Sequence, residues 1–221
     1  MKTFRDLALS KELLLALDEI GFHAPTPIQK KTIPLSLNGS DVIGQAQTGT
    51  GKTAAFGIPI AENITDSKRV QTLILTPTRE LAIQVADELK KIMKYKRASV
   101  VAIYGGQPLV PPIKELKKSP KVVVGTPGRI LDHLHRNTLQ TNFVKMVVLD
   151  EADEMLDMGF IHDIEAILHK LPKKRQTMLF SATIPYDIKK LAQQFMHDPV
   201  HISVTRGTET AETVKQKFYR T

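Results

Sequence analysis

Ala46-Gln47-Thr48-Gly49-Thr50-Gly51-Lys52-Thr53 lies between a short apolar run, Val42-Ile43, and a helix-forming segment, Thr53-Ala54-Ala55-Phe56-Gly57-Ile58. This is the pattern of a phosphate-binding loop between a strand and a helix. Two glycines let backbone N–H groups turn toward one anion, and the helix N-terminus adds partial positive charge. Lys52 is placed to reach terminal phosphates and the Thr53 hydroxyl to hold Mg²⁺. Ala46 stands where the general G-x-x-x-x-G-K-[ST] pattern has its first glycine. The plain alternative is a surface turn rich in Gly and Thr.

Working outward, apolar runs alternate with amphipathic segments. Leu13, Leu14, Leu17 and Ile20 have helical spacing, closed by Gly21. Pro27 suits the first turn of a second helix reaching Leu37, and Asn38-Gly39 turns the chain toward the loop. Short strands are predicted at 71–75, 99–104, 121–124, 145–149, 176–180 and 201–204. Helices are predicted after the first and fifth of these, the former carrying Leu81, Val85, Ala86, Leu89 and Ile92 on one side. Near-continuous apolar strands alternating with helices imply an α/β domain with a mostly parallel sheet covered on both faces. Every polar motif follows a predicted strand: Thr76 to Glu80, Gly105-Gly106-Gln107, Thr126-Pro127-Gly128-Arg129, Asp150-Glu151-Ala152-Asp153 and Ser181-Ala182-Thr183. Ligands of open parallel sheets bind outside the carboxyl ends of the strands, so these motifs are expected on one rim.

The chain has 221 residues, a net charge of +8 and no cysteine. Disulfides and thiolate metal sites are excluded, and a reducing cytoplasm is compatible. No apolar run has the length of a membrane span, and charges interrupt the first residues too early for a signal peptide. The basic balance favours a polyanion partner, with a polyphosphate ligand or a solvated basic surface as alternatives. Lys90-Lys91, Lys117-Lys118, Lys173-Lys174-Arg175 and Lys189-Lys190 each fit solvated helix ends. His133 and His135 point to different faces of a helix, and the histidines form no ligand-spaced set. Met155 and Met158, at i and i+3, are expected to pack.

Asp150 at a strand end can hold Mg²⁺ opposite Thr53, and Glu151 can orient or deprotonate a water. Two adjacent acids would equally suit a helix N-terminus. With the phosphate loop beside them, nucleotide hydrolysis is the better reading. Asp153 is placed to pair with a hydroxyl such as Ser181 or Thr183. Gln29 and Phe22 have the chemistry to recognise a base, although a Phe after a helix is more commonly core.

Together, the segment from Gly21-Phe22 to Gln29, the loop 46–53, Pro77-Thr78-Arg79-Glu80-Leu81-Ala82, Gly105-Gly106, Thr126-Pro127-Gly128-Arg129, Asp150-Glu151-Ala152-Asp153 and Ser181-Ala182-Thr183 resemble the ordered motifs of bacterial DEAD-box ATP-dependent RNA helicases. Ala46 is usual in that family's loop. The resemblance spans essentially the whole chain and implies a RecA-like fold with ATP and Mg²⁺. It implies that Phe22 and Gln29 read adenine with support from Phe4, and that Ala46, Gln47, Thr48, Gly49, Thr50, Gly51, Lys52 and Thr53 bind ATP. Lys52, Asp150 and Glu151 would be catalytic, with Thr53 and Asp150 holding Mg²⁺ through water. Pro77, Thr78, Arg79, Gly105, Gly106, Gln107, Thr126, Gly128 and Arg129 would line the RNA side, holding backbone without sequence preference. Asp153, Ser181 and Thr183 would couple the two sites. Residues 1–37 would carry the adenine-recognition element, 38–208 the first RecA-like domain and 209–221 the start of a connection to a second one. No arginine-rich motif of the kind such a second lobe supplies appears after Thr183, so one lobe with little turnover of its own is expected. A DNA-directed motor on the same plan and a non-catalytic scaffold are the competing readings.

Overall fold

In the computed structural model, which describes residues 2–106 and 110–204, seven parallel strands form one sheet in the order β3-β4-β2-β5-β6-β1-β7. The strands are β1 (Val42–Gln45), β2 (Thr72–Leu75), β3 (Val100–Ile103), β4 (Val122–Gly125), β5 (Met146–Asp150), β6 (Gln176–Ser181) and β7 (Val200–Ser203). Gln107, expected on the RNA side, and the expected connection at 209–221 lie outside the described residues.

Strand residues alternate between two cores. Ile74, Val122, Val124, Met146, Val148, Met178 and Phe180 face α1 (Lys11–Glu19), α2 (Pro27–Leu37), α3 (Lys52–Asn63) and α4 (Arg79–Ile92). Leu73, Leu75, Val123, Val147, Leu149 and Leu179 face the other core. There they meet α5 (Val110–Lys117), α6 (Pro127–His135), α7 (Ala152–Asp157), α8 (Ile161–Lys170) and α9 (Tyr186–Phe195). Period-two alternation on a sheet buried on both sides reads as an unbroken apolar run, because both faces want apolar side chains. Each fully buried Val, Leu or Ile contributes about 1.5–3 kcal/mol.

Three details depart from the sequence expectation. The sheet is parallel throughout. Strands β5 and β6 run one residue further, so Asp150 and Ser181 are the last ladder residues rather than the first loop residues. Their backbones are paired while their side chains reach the rim, which hydropathy alone does not register. Met155 is buried in the core, but Met158 is 51% exposed, so the pair does not pack as a unit. The chain reaches Met158 as the cap of a short helix and turns there through Gly159 (φ +80°).

The helix after β1 leaves on one face, whereas the helices after β5 and β6 leave on the other. A crevice therefore opens at the carboxyl ends of these neighbouring strands, as expected at a topological switch point. Close approach within the sheet requires two glycines. At Gly44, a Cβ would lie 2.6 Å from the Phe180 ring, which crosses β1 to meet Phe56. At Gly125, a Cβ would collide with the Ile103 carbonyl and lie 2.8 Å from Ile130 Cδ1. Because a strand carbonyl cannot yield as a side chain can, Gly125→Ala is expected to destabilise by ~1–3 kcal/mol. A lower urea midpoint with an unchanged m-value is the result that checks it.

Candidate functional site

The loop 46–53 starts where the ladder ends. Ala46 is buried, and its N–H donates to the Ser181 carbonyl at 3.0 Å. Gln47, Thr48 and Gly49 are exposed, and the Thr50 hydroxyl folds back onto the Gln47 carbonyl at 2.7 Å. Gly49 and Gly51 have φ of +79° and +88°, a conformation that L side chains rarely adopt. Gly51 is the N-cap of α3, so the first N–H groups of that helix face the loop. Lys52 begins the helix with only 6% of its side chain exposed.

Opposite it stand three carboxylates. Glu151 Oε1 lies 3.9 Å from Lys52 Nζ and accepts from the Thr48 hydroxyl at 3.4 Å. Burial pushes Asp150 up to about 7, against the pull of Lys52 and with the push of Glu151. Glu88, on α4, is raised by burial, a rise countered by a hydrogen bond from the Thr53 side chain. Its charge also acts on Asp150. Among the described residues, Lys52 Nζ and Asp150 Oδ1 are buried with no hydrogen-bond partner. Such orphans are costly, and they are the groups expected to meet a phosphate and a divalent cation. The oxygen donors of Thr53, Asp150 and Glu88 suit a hard ion such as Mg²⁺. Glu151 itself is left-handed (φ 53°, ψ 53°) as the N-cap of α7. A bulky residue held there carries strain of the kind that collects at functional sites.

Asp153 joins this centre to the end of β6. Its Oδ2 accepts from the Thr183 N–H at 2.8 Å and from the Thr183 hydroxyl at 2.9 Å. Its own N–H donates to the Ser181 hydroxyl at 3.1 Å. Burial raises the Asp153 carboxyl, but the hydrogen bonds from Ser181 and Thr183 more than offset that and hold it below the usual range.

The N-terminal element is pinned to the same loop. Gln29 Oε1 accepts from the Thr26 N–H at 2.9 Å, and Nε2 donates to the Gly51 carbonyl at 3.0 Å. Thr26 and Gln29 form a capping box at the start of α2. A primary amide has two donor hydrogens and two acceptor lone pairs, so one of each remains on Gln29. Phe22 is half-buried and stacks on buried Phe4 at 6.4 Å.

The loops after β2, β3 and β4 meet at Tyr104. Arg79, exposed, lies over the Tyr104 ring at 4.9 Å. Arg129 Nε donates to the Tyr104 carbonyl at 3.2 Å, and its NH1 lies 3.7 Å from Asp132. With 14% of its side chain exposed, Arg129 is turned inward. Thr78 caps α4 by accepting from the Leu81 N–H, and Pro77 is buried. Gly105, Gly106 (φ +80°) and Gly128 are exposed, and Thr126 caps α6.

Two participants escaped the sequence reading. Glu88 gave no signal, being one acid among the charges of an amphipathic helix. The tie from Gln29 to Gly51 was readable in principle, because Thr26-Pro27-Ile28-Gln29 is a capping-box pattern.

The DEAD/DEAH box helicase profile matches residues 26–191. The chain is 55% identical over 218 residues to a DEAD-box ATP-dependent RNA helicase CshA of Bacillus subtilis, covering 98% of this chain and 44% of that protein. It is 56% identical over 219 residues to the CshA of Geobacillus kaustophilus, covering 99% and 47%. The chain thus spans less than half the length of these relatives. A crystal structure of a DEAD box protein from Methanococcus jannaschii superposes with a TM-score of 0.88 at 49% identity, covering 91% of this chain and 55% of that one.

An Asp that keeps its proton to about 7 when folded but ionises near 3.8 when unfolded makes the folded chain lose stability as pH rises between those values. Asp150→Asn removes that loss. Without nucleotide or Mg²⁺, the variant is expected to be more stable than the wild type at pH 8 by at least ~1 kcal/mol, with the advantage gone near pH 4. Urea titrations across that range measure it.

Proposed function

Because the chain belongs to the DEAD/DEAH box helicase family, we propose that it is the ATP-binding lobe of an RNA helicase, in which binding and hydrolysis of Mg-ATP are coupled to RNA held across the strand ends. The observation that carries this reading is the pair of buried atoms without a hydrogen-bond partner, Lys52 Nζ and Asp150 Oδ1, beside the amino end of α3. The extent of 38–208 as the RecA-like domain, 1–37 as the adenine-recognition element, 209–221 as the start of a connection to a second lobe, and a cytoplasmic location belong to the same proposal. No described helix is long and apolar enough to cross a membrane.

In this reading the N–H groups of 48–53 and the Lys52 ammonium receive the β- and γ-phosphates. Thr53 and Asp150 would hold Mg²⁺, with Glu88 facing both, and the ion would supply positive charge beside the phosphates. Glu151 orients the attacking water and takes its proton. The remaining donor and acceptor of Gln29 face the adenine edge, and Phe22, backed by Phe4, closes that side. Asp153, Ser181 and Thr183 pass a change at Asp150–Glu151 to the end of β6. On the RNA side, Thr78, Arg79, Gly105, Gly106, Gln107, Thr126 and Gly128 contact the sugar-phosphate backbone, buried Pro77 shapes the turn that presents them, and Arg129 steadies Tyr104 beneath them. Backbone contacts give affinity without sequence readout, and the 2′-hydroxyl separates RNA from DNA. A second lobe would add the arginines that stabilise transferring phosphate, a contribution of about 10³–10⁵ in turnover.

Titration of this chain with fluorescent ADP and Mg²⁺ tests the reading. Displacement by ADP but not GDP is expected; equal displacement would remove the role of Gln29, and no binding at millimolar nucleotide would remove the site. In the two-lobe protein, Glu151→Gln is expected to lower ATP turnover by about 10²–10⁴ while nucleotide affinity holds. Unchanged turnover would favour a scaffold over an enzyme.

A further inference from the structure

The end of the sheet opposite the phosphate loop carries a second recess. The segments leading into β2, β4 and β5, which lie side by side, enclose a cavity of about 310 Å³. Its wall includes Lys68, Arg69, Lys117, Asn137, Gln140 and Phe143, and no carboxylate is among the described residues that line it. Lys68, Arg69 and Lys117 are all exposed. The Phe143 ring is 51% exposed, with the Arg69 guanidinium 5.1 Å from its centroid. Ser119 and Asn137, both in the wall, are left-handed, with φ of 57° and 55°. Such residues are uncommon and shape tight turns.

We propose that this recess seats one nucleotide of single-stranded RNA, at a site separate from the rim that carries the phosphate loop. The inference rests on the reading that this lobe handles RNA. A solvent-facing ring beside cations is the combination that binds single strands, because every base has a face to stack and every nucleotide a phosphate to pair. The Arg69–Phe143 pair offers the platform, Lys68 and Lys117 the counter-charges, and Asn137 and Gln140 amides for a base edge. The volume lies near the lower end of small-ligand pockets, which fits one nucleotide and not a folded element. An acidic peptide would satisfy the cations but has no planar group for the Phe143 platform. Strands of four or five residues separate the two ends of the sheet by roughly 15 Å. An RNA that overhangs the rim is therefore long enough to span that distance.

The test is photocrosslinking of this chain with a 20-nucleotide oligouridylate carrying 4-thiouridine, followed by peptide mapping. Crosslinks are expected at Phe143 and also at rim peptides containing Gly105 or Gly128. Arg69→Ala with Lys117→Ala should lower the Phe143 crosslink about tenfold and leave rim crosslinks and melting temperature unchanged. Crosslinks confined to the rim would overturn this inference and leave the proposed function standing. Crosslinks at Phe143 alone would keep the recess and remove the rim assignment, and none at either place would overturn both. Displacement of RNA from Phe143 by a hexaglutamate peptide at lower concentration than by unlabelled RNA would reassign the recess to acidic protein segments.

Discussion

With β2, β4, β5 and β6 covered on both faces, their backbone groups are committed to the ladder and their side chains to one core or the other. Polar chemistry is left only the strand ends, where the ladder stops and the last side chain is freed from both cores. Asp150 and Ser181 occupy that position, paired through their backbones and directed by their side chains to the crevice. The rigidity of the acidic centre is thus borrowed from the hydrophobic layers, and the precision of the site follows from sheet register rather than from local loop structure.

The charges in the crevice are arranged at a cost the fold could have avoided. Lys52 and Asp150 are nearly enclosed; Lys52 Nζ meets Glu151 only at 3.9 Å, and neither it nor Asp150 Oδ1 has a hydrogen-bond partner among the described residues. Buried charges left unpaired weaken the folded state. In the proposed reading, a triphosphate and its counter-ion would satisfy several groups at once, so binding and folding would reinforce each other by mass action. The left-handed backbone at Glu151 belongs with this arrangement, since it turns the carboxylate back toward Lys52.

Strand positions, the parallel architecture and the gathering of motifs on one edge were legible because apolar runs, glycines and turn residues report local physics. Asp153 meeting Thr183 was anticipated for the same reason: both follow neighbouring strands. What stayed hidden depends on side-chain direction. Arg129 points inward to Tyr104 whereas Arg79 lies outside on its ring, although both are arginines in similar loops. Glu88 reaches Thr53 because α4 packs against α3, a fact set by helix packing and not by any pattern within α4. Met158 is exposed because α7 ends after two turns, and the helical spacing from Met155 could not announce that end.

The place of β1 in the sheet has a consequence for how the chain is made. β1 comes early in sequence, yet its neighbours are β6 and β7, drawn from the last part of the described chain. On a ribosome adding ~5–20 residues per second, β1 emerges roughly seven to thirty seconds before the strand it pairs with. β2, β3 and β4 can assemble meanwhile, so the nascent lobe passes through a half-sheet whose growing edge is unpaired. The loop 46–53, attached to β1 and tied to Ser181 at the end of β6, takes shape only once β6 has been made. During that interval the loop lacks its anchor, and the exposed edge is the surface on which a chaperone would act.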